Sequence, residues 1–254
     1  INRTDISLMK KSYLFRGIFY AAGLFILALG ITLNTKTGLG VSPIISVSYS
    51  ISAIWNLNFG NMTLVLYGIF VAAEMLLHTI RNKRSMKRES TILVHANKVD
   101  LKLVLLMDLL QFPLSLVFTR FLNVFSAWIP DLSSLSPDSF AGSSLGRFTF
   151  LAIAVVLTGI GAAMSLNMRV IPNPGDGIVQ AIADCVGKET GLVKNCFDIL
   201  NISVTAMTGM IFAGKIVGIG IGTVAAVIGV GRTISIFNHF VREKMDTLAG
   251  MQAR

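Results

Sequence analysis

Apolar residues in this chain neither alternate with polar ones, as on a half-buried strand, nor keep to one stripe, as on a surface helix; they come in long, nearly unbroken runs. Six such runs lie near 17–34, 61–80, 101–124, 147–168, 192–213 and 222–240. A helix needs about 20 apolar residues to cross a hydrocarbon core roughly 30 Å thick, so each run predicts one crossing. Two further segments, 43–55 and 174–187, are shorter and more polar. Stretches of that length are more often buried or re-entrant than spanning. The pattern predicts an all-α membrane protein of six transmembrane helices plus two re-entrant half-helices.

Charge fixes which side is which. Arg3, Lys10, Lys11 and Arg16 precede the first run, and Arg81, Lys83, Arg84, Lys87, Arg88, Lys98 and Lys102 fill the stretch 81–102. Basic loops stay in the cytoplasm, so an even number of crossings separates these two segments. Helices 17–34 and 61–80 supply two, and 43–55 must then enter and leave from the outer face. The same reasoning sends 101–124 out and brings 147–168 in, makes 174–187 re-entrant from inside, and ends both termini in the cytoplasm. Only Lys36, Arg120, Arg147 and Lys215 of the 22 basic residues then lie near the outer side. Lys10, Lys11 and Arg16 ahead of Gly17–Leu33 imitate a signal peptide, but no small-x-small cleavage site follows, and the run is expected to stay as a helix.

Composition agrees. Of 254 residues 53% are apolar and 14% charged, with mean hydropathy +0.71; a soluble domain carries about 25% charged residues. Six crossings leave no room for a soluble catalytic domain, and no enzyme activity or cofactor is expected. The net charge of +9 reads as cytoplasmic loops rather than a nucleic-acid surface. Cys185 and Cys196 sit in apolar sequence without a nearby His, and neither a disulfide framework nor a metal site is predicted.

Shifting the chain by 131 residues lays Gly30 on Gly161, Pro43 on Pro174 and Gly60 on Gly191, with the segment order preserved. Each half holds three crossings, an odd number, so the halves enter the membrane from opposite sides: a 3+3 inverted-topology repeat, as in many secondary transporters. The expected divisions are an N-terminus over 1–13, a first repeat over 14–124, an external loop over 125–146, a second repeat over 147–240 and a tail over 241–254. Ser42-Pro43 and Asn173-Pro174 each pair a favoured N-cap residue with Pro at the first helical position, and both read as helix starts. Such ends, pointed inward, attract anionic or carbonyl oxygens.

The run Gly23–Ile31 followed by Leu39-Gly40-Val41-Ser42-Pro43, with Pro174-Gly175-Asp176 and Gly220-Ile221-Gly222-Thr223, resembles the YczE/YitT-like family of bacterial integral membrane proteins over about residues 14–240. The resemblance implies a multi-pass protein of the bacterial plasma membrane and brings no substrate with it. Relatives commonly carry an acid two residues after the first proline; here Ile45 stands there, leaving Asp176 as the single acid of the pair.

Ionisable and polar residues at membrane depth normally face the bundle interior or water. Asp176 falls in the first turn of the second short helix, as a helix-start acid or a substrate contact. Gln180 and Asp184 share its face at i+4 steps. Asp198, with Asn195 and Asn201, marks a polar face suited to a hydrated cavity. Glu74 and Asp108 are expected to pair with Arg81 or Lys102 by snorkelling, and Arg232 to neutralise Asp198 or Asp176, or to hold an anionic substrate. Ser42, Ser46, Ser48, Ser50 and Ser52 make the first short helix too polar for lipid. Gly209–Lys215 imitates a P-loop without its Ser/Thr, and Gly220–Ala225 a dinucleotide fingerprint without its strand; neither is taken as a nucleotide site. His78, His95 and His239 assemble no catalytic constellation.

The expected function is a secondary transporter or facilitator of a small polar solute at a midplane site lined by Ser42, Ser46, Asn173, Asp176, Gln180 and Asp198, with Asp176 or Asp198 carrying any coupling proton. A passive channel and a non-transporting scaffold or assembly factor are the alternatives. The lipid bilayer is the other partner, nucleic acid is not, and association with further copies of the chain is left open.

Overall fold

The computed structural model describes residues 3–89 and 101–251, with side chains from 12–84 and 101–251. Among the described residues the regular structure is helical throughout: α1 (Arg3–Lys36), α2 (Pro43–Trp55), α3 (Phe59–Glu89), α4 (Leu101–Trp128), α5 (Ser144–Asn167), α6 (Pro174–Val186), α7 (Thr190–Ala213) and α8 (Ile221–Leu248), with one 3-10 turn at Leu132–Ser134. Six of these helices are long and apolar enough to cross a bilayer. The chain is a multi-pass integral membrane protein. α2 and α6 have 13 residues each, roughly 20 Å at 1.5 Å per residue, well short of a hydrocarbon core.

Both short helices start at their prolines. Each ends on a left-handed residue, Asn56 (φ 52°) after α2 and Gly187 (φ 65°) after α6, whose N–H returns to the last turn. α1, α3 and α8 run well past their apolar segments into charged sequence. The reason is that leaving lipid does not end a helix; Lys, Arg, Glu and Met are good helix formers, and only a breaker or cap stops propagation. The divisions expected at 13/14 and 240/241 accordingly fall inside unbroken helices. Of the basic residues used to orient the chain, Lys98 lies outside the described residues, as do the side chains of Arg3, Lys10, Lys11, Lys87 and Arg88; His95 does too.

The centre of the bundle is the antiparallel pair α1 and α5, the most extensive helix contact in the molecule. Glycines let the two backbones touch. A Cβ on Gly30 would stand 2.5 Å from the Thr158 amide nitrogen and 2.9 Å from the Ala154 carbonyl; one on Gly161 would press on the Leu27 amide and lie 2.7 Å from the Gly23 carbonyl. At the two ends of the seam, Arg147 Nε donates to the Thr37 carbonyl (2.8 Å) and an Arg16 Nη to the Met168 carbonyl (2.9 Å). Every one of these contacts has its counterpart 131 positions along the chain.

Around this pair, α4 packs on α1 and α8 on α5; α2 packs on α7 and α3, while α6 packs on α3 and α7; α2 touches α8 and α6 touches α4. Two pairings have no counterpart of like extent, the slight touch of α1 with α8 and the close packing of α3 with α4. α3 packs closely on α4, where Gly60 N donates to Asn123 Oδ1 (3.1 Å), and no comparable packing joins α7 to α8. α8 is also the least buried span, 6% of its membrane window against 22% for α4. Interleaved aromatics fill the middle: Tyr67 stacks on Phe118 (6.2 Å between centroids) and Phe70 meets Phe197 edge-on (5.4 Å).

Candidate functional site

The start of α6 is fully capped. Asn173 Oδ1 accepts from Gly175 N (3.0 Å), its carbonyl accepts from the amides of Asp176 and Gly177 (2.9 Å each), and the Asp176 carboxylate lies in the first turn, where the helix dipole favours it. The start of α2 differs. Ser42 holds the N-cap position, but its side chain makes no cap bond and no acid follows in the first turn. Local capping is replaced there by tertiary backbone bonds that hold the approach to α2: Val41 N donates to Gly218 O (2.9 Å) and Gly222 N to Leu39 O (2.7 Å). Gly40, at φ +114°, lets this happen, since a Cβ there would lie 2.6 Å from Gly220 N. The segments Leu39–Pro43 and Gly220–Thr223 thus touch.

The serines of α2 are covered by protein. Ser46, Ser48, Ser50 and Ser52 are buried; Ser46 bonds Thr205 Oγ1 (2.7 Å) and Ser48 bonds Thr63 Oγ1 (3.1 Å), and the hydroxyls of Ser46 and Ser48 also donate to the carbonyls three residues back. Thr205 continues the inward face of α7 through Asn201 and Asp198, all buried. Asn195 lies off that face and is exposed.

Between α3, α6 and α7, Tyr67 is buried within electrostatic reach of Asn173 and Asp176. Asp176 in turn reaches Lys194 and Asp198. Asp198 receives Lys194 Nζ at 3.7 Å on one oxygen, and its other oxygen is buried without a partner. Arg232, expected in this role, is exposed on α8; the i,i+4 spacing of Lys194 and Asp198 supplies the cation from the same helix. Of the predicted lining residues, Asn173, Asp176 and Asp198 gather here, Ser46 lies with Thr205 on the α2–α7 contact, and Ser42 stands at the start of α2. Gln180 belongs elsewhere: exposed, it donates to Asp184 (2.9 Å) and accepts from Thr190 (3.1 Å), and Asp184 also accepts from Arg81 (2.7 Å).

Glu74 and Asp108 depart from expectation as well. Arg81 turns to Asp184, leaving Glu74, 2% exposed, to accept from Gln111 Nε2 (3.0 Å) and to lie against Gly177, where a Cβ would collide with its carboxylate. Asp108 is bonded by His78 Nδ1 (2.8 Å). Gln111 is therefore the residue that a search for charges overlooks. Its signal was an amide inside the apolar run 101–124, two residues ahead of Pro113. It is 1% exposed, its carbonyl oxygen has no partner, and it lines a cleft with room for about one water. Tyr20, Leu24, Ser115, Phe118 and Asn173 are among the other walls.

A family model covers residues 14–239, from the membrane part of α1 to that of α8. The chain belongs to a family of unknown function, DUF6198. The matched region takes in both short helices, the α1–α5 seam and the cleft. The chain is also 25% identical over 224 residues to the uncharacterized protein YyaS of Bacillus subtilis, covering 88% of this chain and 92% of that one. No solved structure matches.

Proposed function

We propose that this member of the family is a secondary transporter or facilitator of a small polar solute in the bacterial plasma membrane, without chemical conversion of its cargo. In this reading the bundle is a 3+3 inverted-topology repeat, α2 and α6 are re-entrant half-helices, both termini are cytoplasmic, and the YczE/YitT-like proteins are relatives in kind. What supports it is the reciprocity of the contacts. Arg16 with Met168 and Arg147 with Thr37, or Gly30 with residues 154 and 158 and Gly161 with residues 23 and 27, exchange under a shift of 131. A two-fold axis lying across the antiparallel α1–α5 pair produces this exchange, and such an axis in the membrane plane relates the halves of many transporters, with the site where their broken helices meet.

On this reading α6 delivers Asn173 and Asp176 to the midplane, and α7 brings Asp198 and Lys194 beside them. The orientation has its own check: cysteines placed singly at positions 85–95 should react with impermeant maleimide only in inside-out vesicles, and labelling from the exterior reverses the topology. For function, proteoliposomes are challenged with radiolabelled methylammonium, glycine and glycerol. The solute that enters above empty liposomes should lose at least about tenfold of its flux in the double variant Asp176→Asn, Asp198→Asn, as expected when an interaction with a charged partner worth roughly 1.5–3 kcal/mol is removed; unchanged flux takes both acids out of the mechanism.

The narrowness of the cleft favours a second reading, a non-transporting scaffold whose interior is permanently packed. It expects no flux of any probe and no effect of these substitutions beyond stability.

A further inference from the structure

The cleft bounded by α1, α4 and the start of α6 has a polarity that its charge count alone does not reveal. Three of its side chains carry oxygens beside a proton that is spent on a neighbour. The Tyr20 hydroxyl donates to the Ile171 carbonyl (2.9 Å), the Ser115 hydroxyl donates to the Gln111 carbonyl (2.7 Å), and Gln111 Nε2 donates to Glu74 (3.0 Å), which turns the amide so that its carbonyl oxygen is the free end. The fourth polar wall, Asn173, spends its oxygen on Gly175 N. Among the described residues, the one buried side-chain polar atom of the cleft without a partner is thus an acceptor, the Gln111 carbonyl oxygen.

The surroundings point the same way. Behind Gln111 stands Glu74, and Asp108 lies one turn before it on α4, both buried. The start of α6 has its amides capped and an acid in its first turn, so an anion gains little there. No Lys or Arg lines the cleft; Arg16, one turn before Tyr20, points to the Met168 and Arg169 carbonyls. Tyr20 and Phe118 add aromatic surface of the kind that attracts a cation. The space is that of about one water, the size of an ammonium head.

We infer that this cleft binds a small ammonium cation, ammonium itself or the head of a primary amine, with the Gln111 carbonyl oxygen as its principal acceptor and the Tyr20 and Ser115 hydroxyl oxygens completing the site. This rests on the transporter reading for its physiological meaning, since it names the solute class; the binding site itself is testable without it.

The test is thermal unfolding of the purified protein in detergent with methylammonium chloride, against sodium chloride and tetramethylammonium chloride at equal ionic strength. Methylammonium should raise the melting temperature with a saturable dose dependence, and tetramethylammonium, of similar charge but with no N–H, should not. Gln111→Met keeps the volume and removes the acceptor; the apparent Kd for methylammonium should rise roughly tenfold or more. Should that variant fail to fold, Tyr20→Phe, which keeps the ring and removes the hydroxyl, should weaken binding by about threefold to tenfold. Equal stabilisation by tetramethylammonium, or an unchanged Kd in whichever of these variants folds, overturns the site. Flux in proteoliposomes separates the two claims. Methylammonium binding without flux leaves the site standing and defeats the transporter reading; flux of glycerol with no binding of methylammonium defeats the site and leaves the transporter.

Discussion

Replacing Gly161 by leucine should leave almost no folded protein: at least about fivefold less monodisperse material after detergent extraction, and a lowered melting temperature for what remains. The neighbours of this position are the Leu27 amide and the Gly23 carbonyl on α1, which are backbone atoms of a helix and cannot swing aside. Inserting methylenes into a packed core costs about 1–3 kcal/mol even where side chains can shift; here two helices must separate. In lipid that separation is not opposed by hydrophobic burial, because lipid is as apolar as the interface, and close packing is what holds α1 to α5. Gly30→Leu should behave alike, since it meets the Thr158 amide and the Ala154 carbonyl. Gly161→Ala should show a smaller loss in the same direction. Gly17 supplies the control on α1: it is exposed and a Cβ there meets nothing within 4 Å, so Gly17→Leu should be neutral or stabilising by up to about 1 kcal/mol through helix propensity. Melting curves of Gly161→Leu and Gly17→Leu that coincide would remove the close seam from the account of stability.

What could be read ahead of the structure follows from which signals are local. The starts of α2 and α6 were legible because a capping residue followed by proline acts within one turn, and both helices begin at those prolines. Gly30 and Gly161, which the shift of 131 lays on each other, each meet the backbone of the other's helix across the seam. Helix lengths were less legible: the end of an apolar run marks the edge of lipid, while α3 and α8 continue through Lys83 and Lys244 because nothing there breaks them. Partners were not legible: Arg232 was expected beside Asp198, where Lys194 stands instead. Lys194 and Asp198 are one turn apart, but Glu74 finds Gln111 at a separation of 37 residues, a choice set by the rotation of α3 against α4. Gln111 itself escaped because a neutral amide is cheap enough in a long apolar run to be passed over, although its orphaned carbonyl oxygen makes it the most informative group in the cleft. Ser42 carried the right residue type for a cap and does not use it, because tertiary bonds at Val41 and Leu39 already hold the chain.

Linking α3 to α4 should arrest transport. The extensive helix pairings in the bundle have counterparts except α3 with α4, which is packed, while α7 with α8 is not packed comparably. If the halves are related by a two-fold axis, a molecule in which they differ is one member of a pair of states, and the other has α7 packed on α8 with α3 parted from α4. Alternation between the two is what relative movement of inverted halves means in this bundle. Asn61 and Asn123 face each other across the closed pair, Asn123 Nδ2 donating to Asn61 Oδ1 at 3.5 Å, and both are accessible to reagent. With Cys185 and Cys196 replaced by serine, the double variant Asn61→Cys, Asn123→Cys can be joined by a short bis-methanethiosulfonate and released by reductant. The joined protein should melt at or above the temperature of the unlinked double variant, because the link fastens a contact already made, and flux of methylammonium in proteoliposomes should fall at least about tenfold and return on reduction. A ligand equilibrium cannot substitute for this motion: a solute that binds both states equally shifts neither, so blocking one state stops turnover without abolishing binding. Full flux through the linked protein would mean that α3 and α4 stay together throughout, and the unmatched pairing of α7 and α8 would then be a fixed difference between the halves.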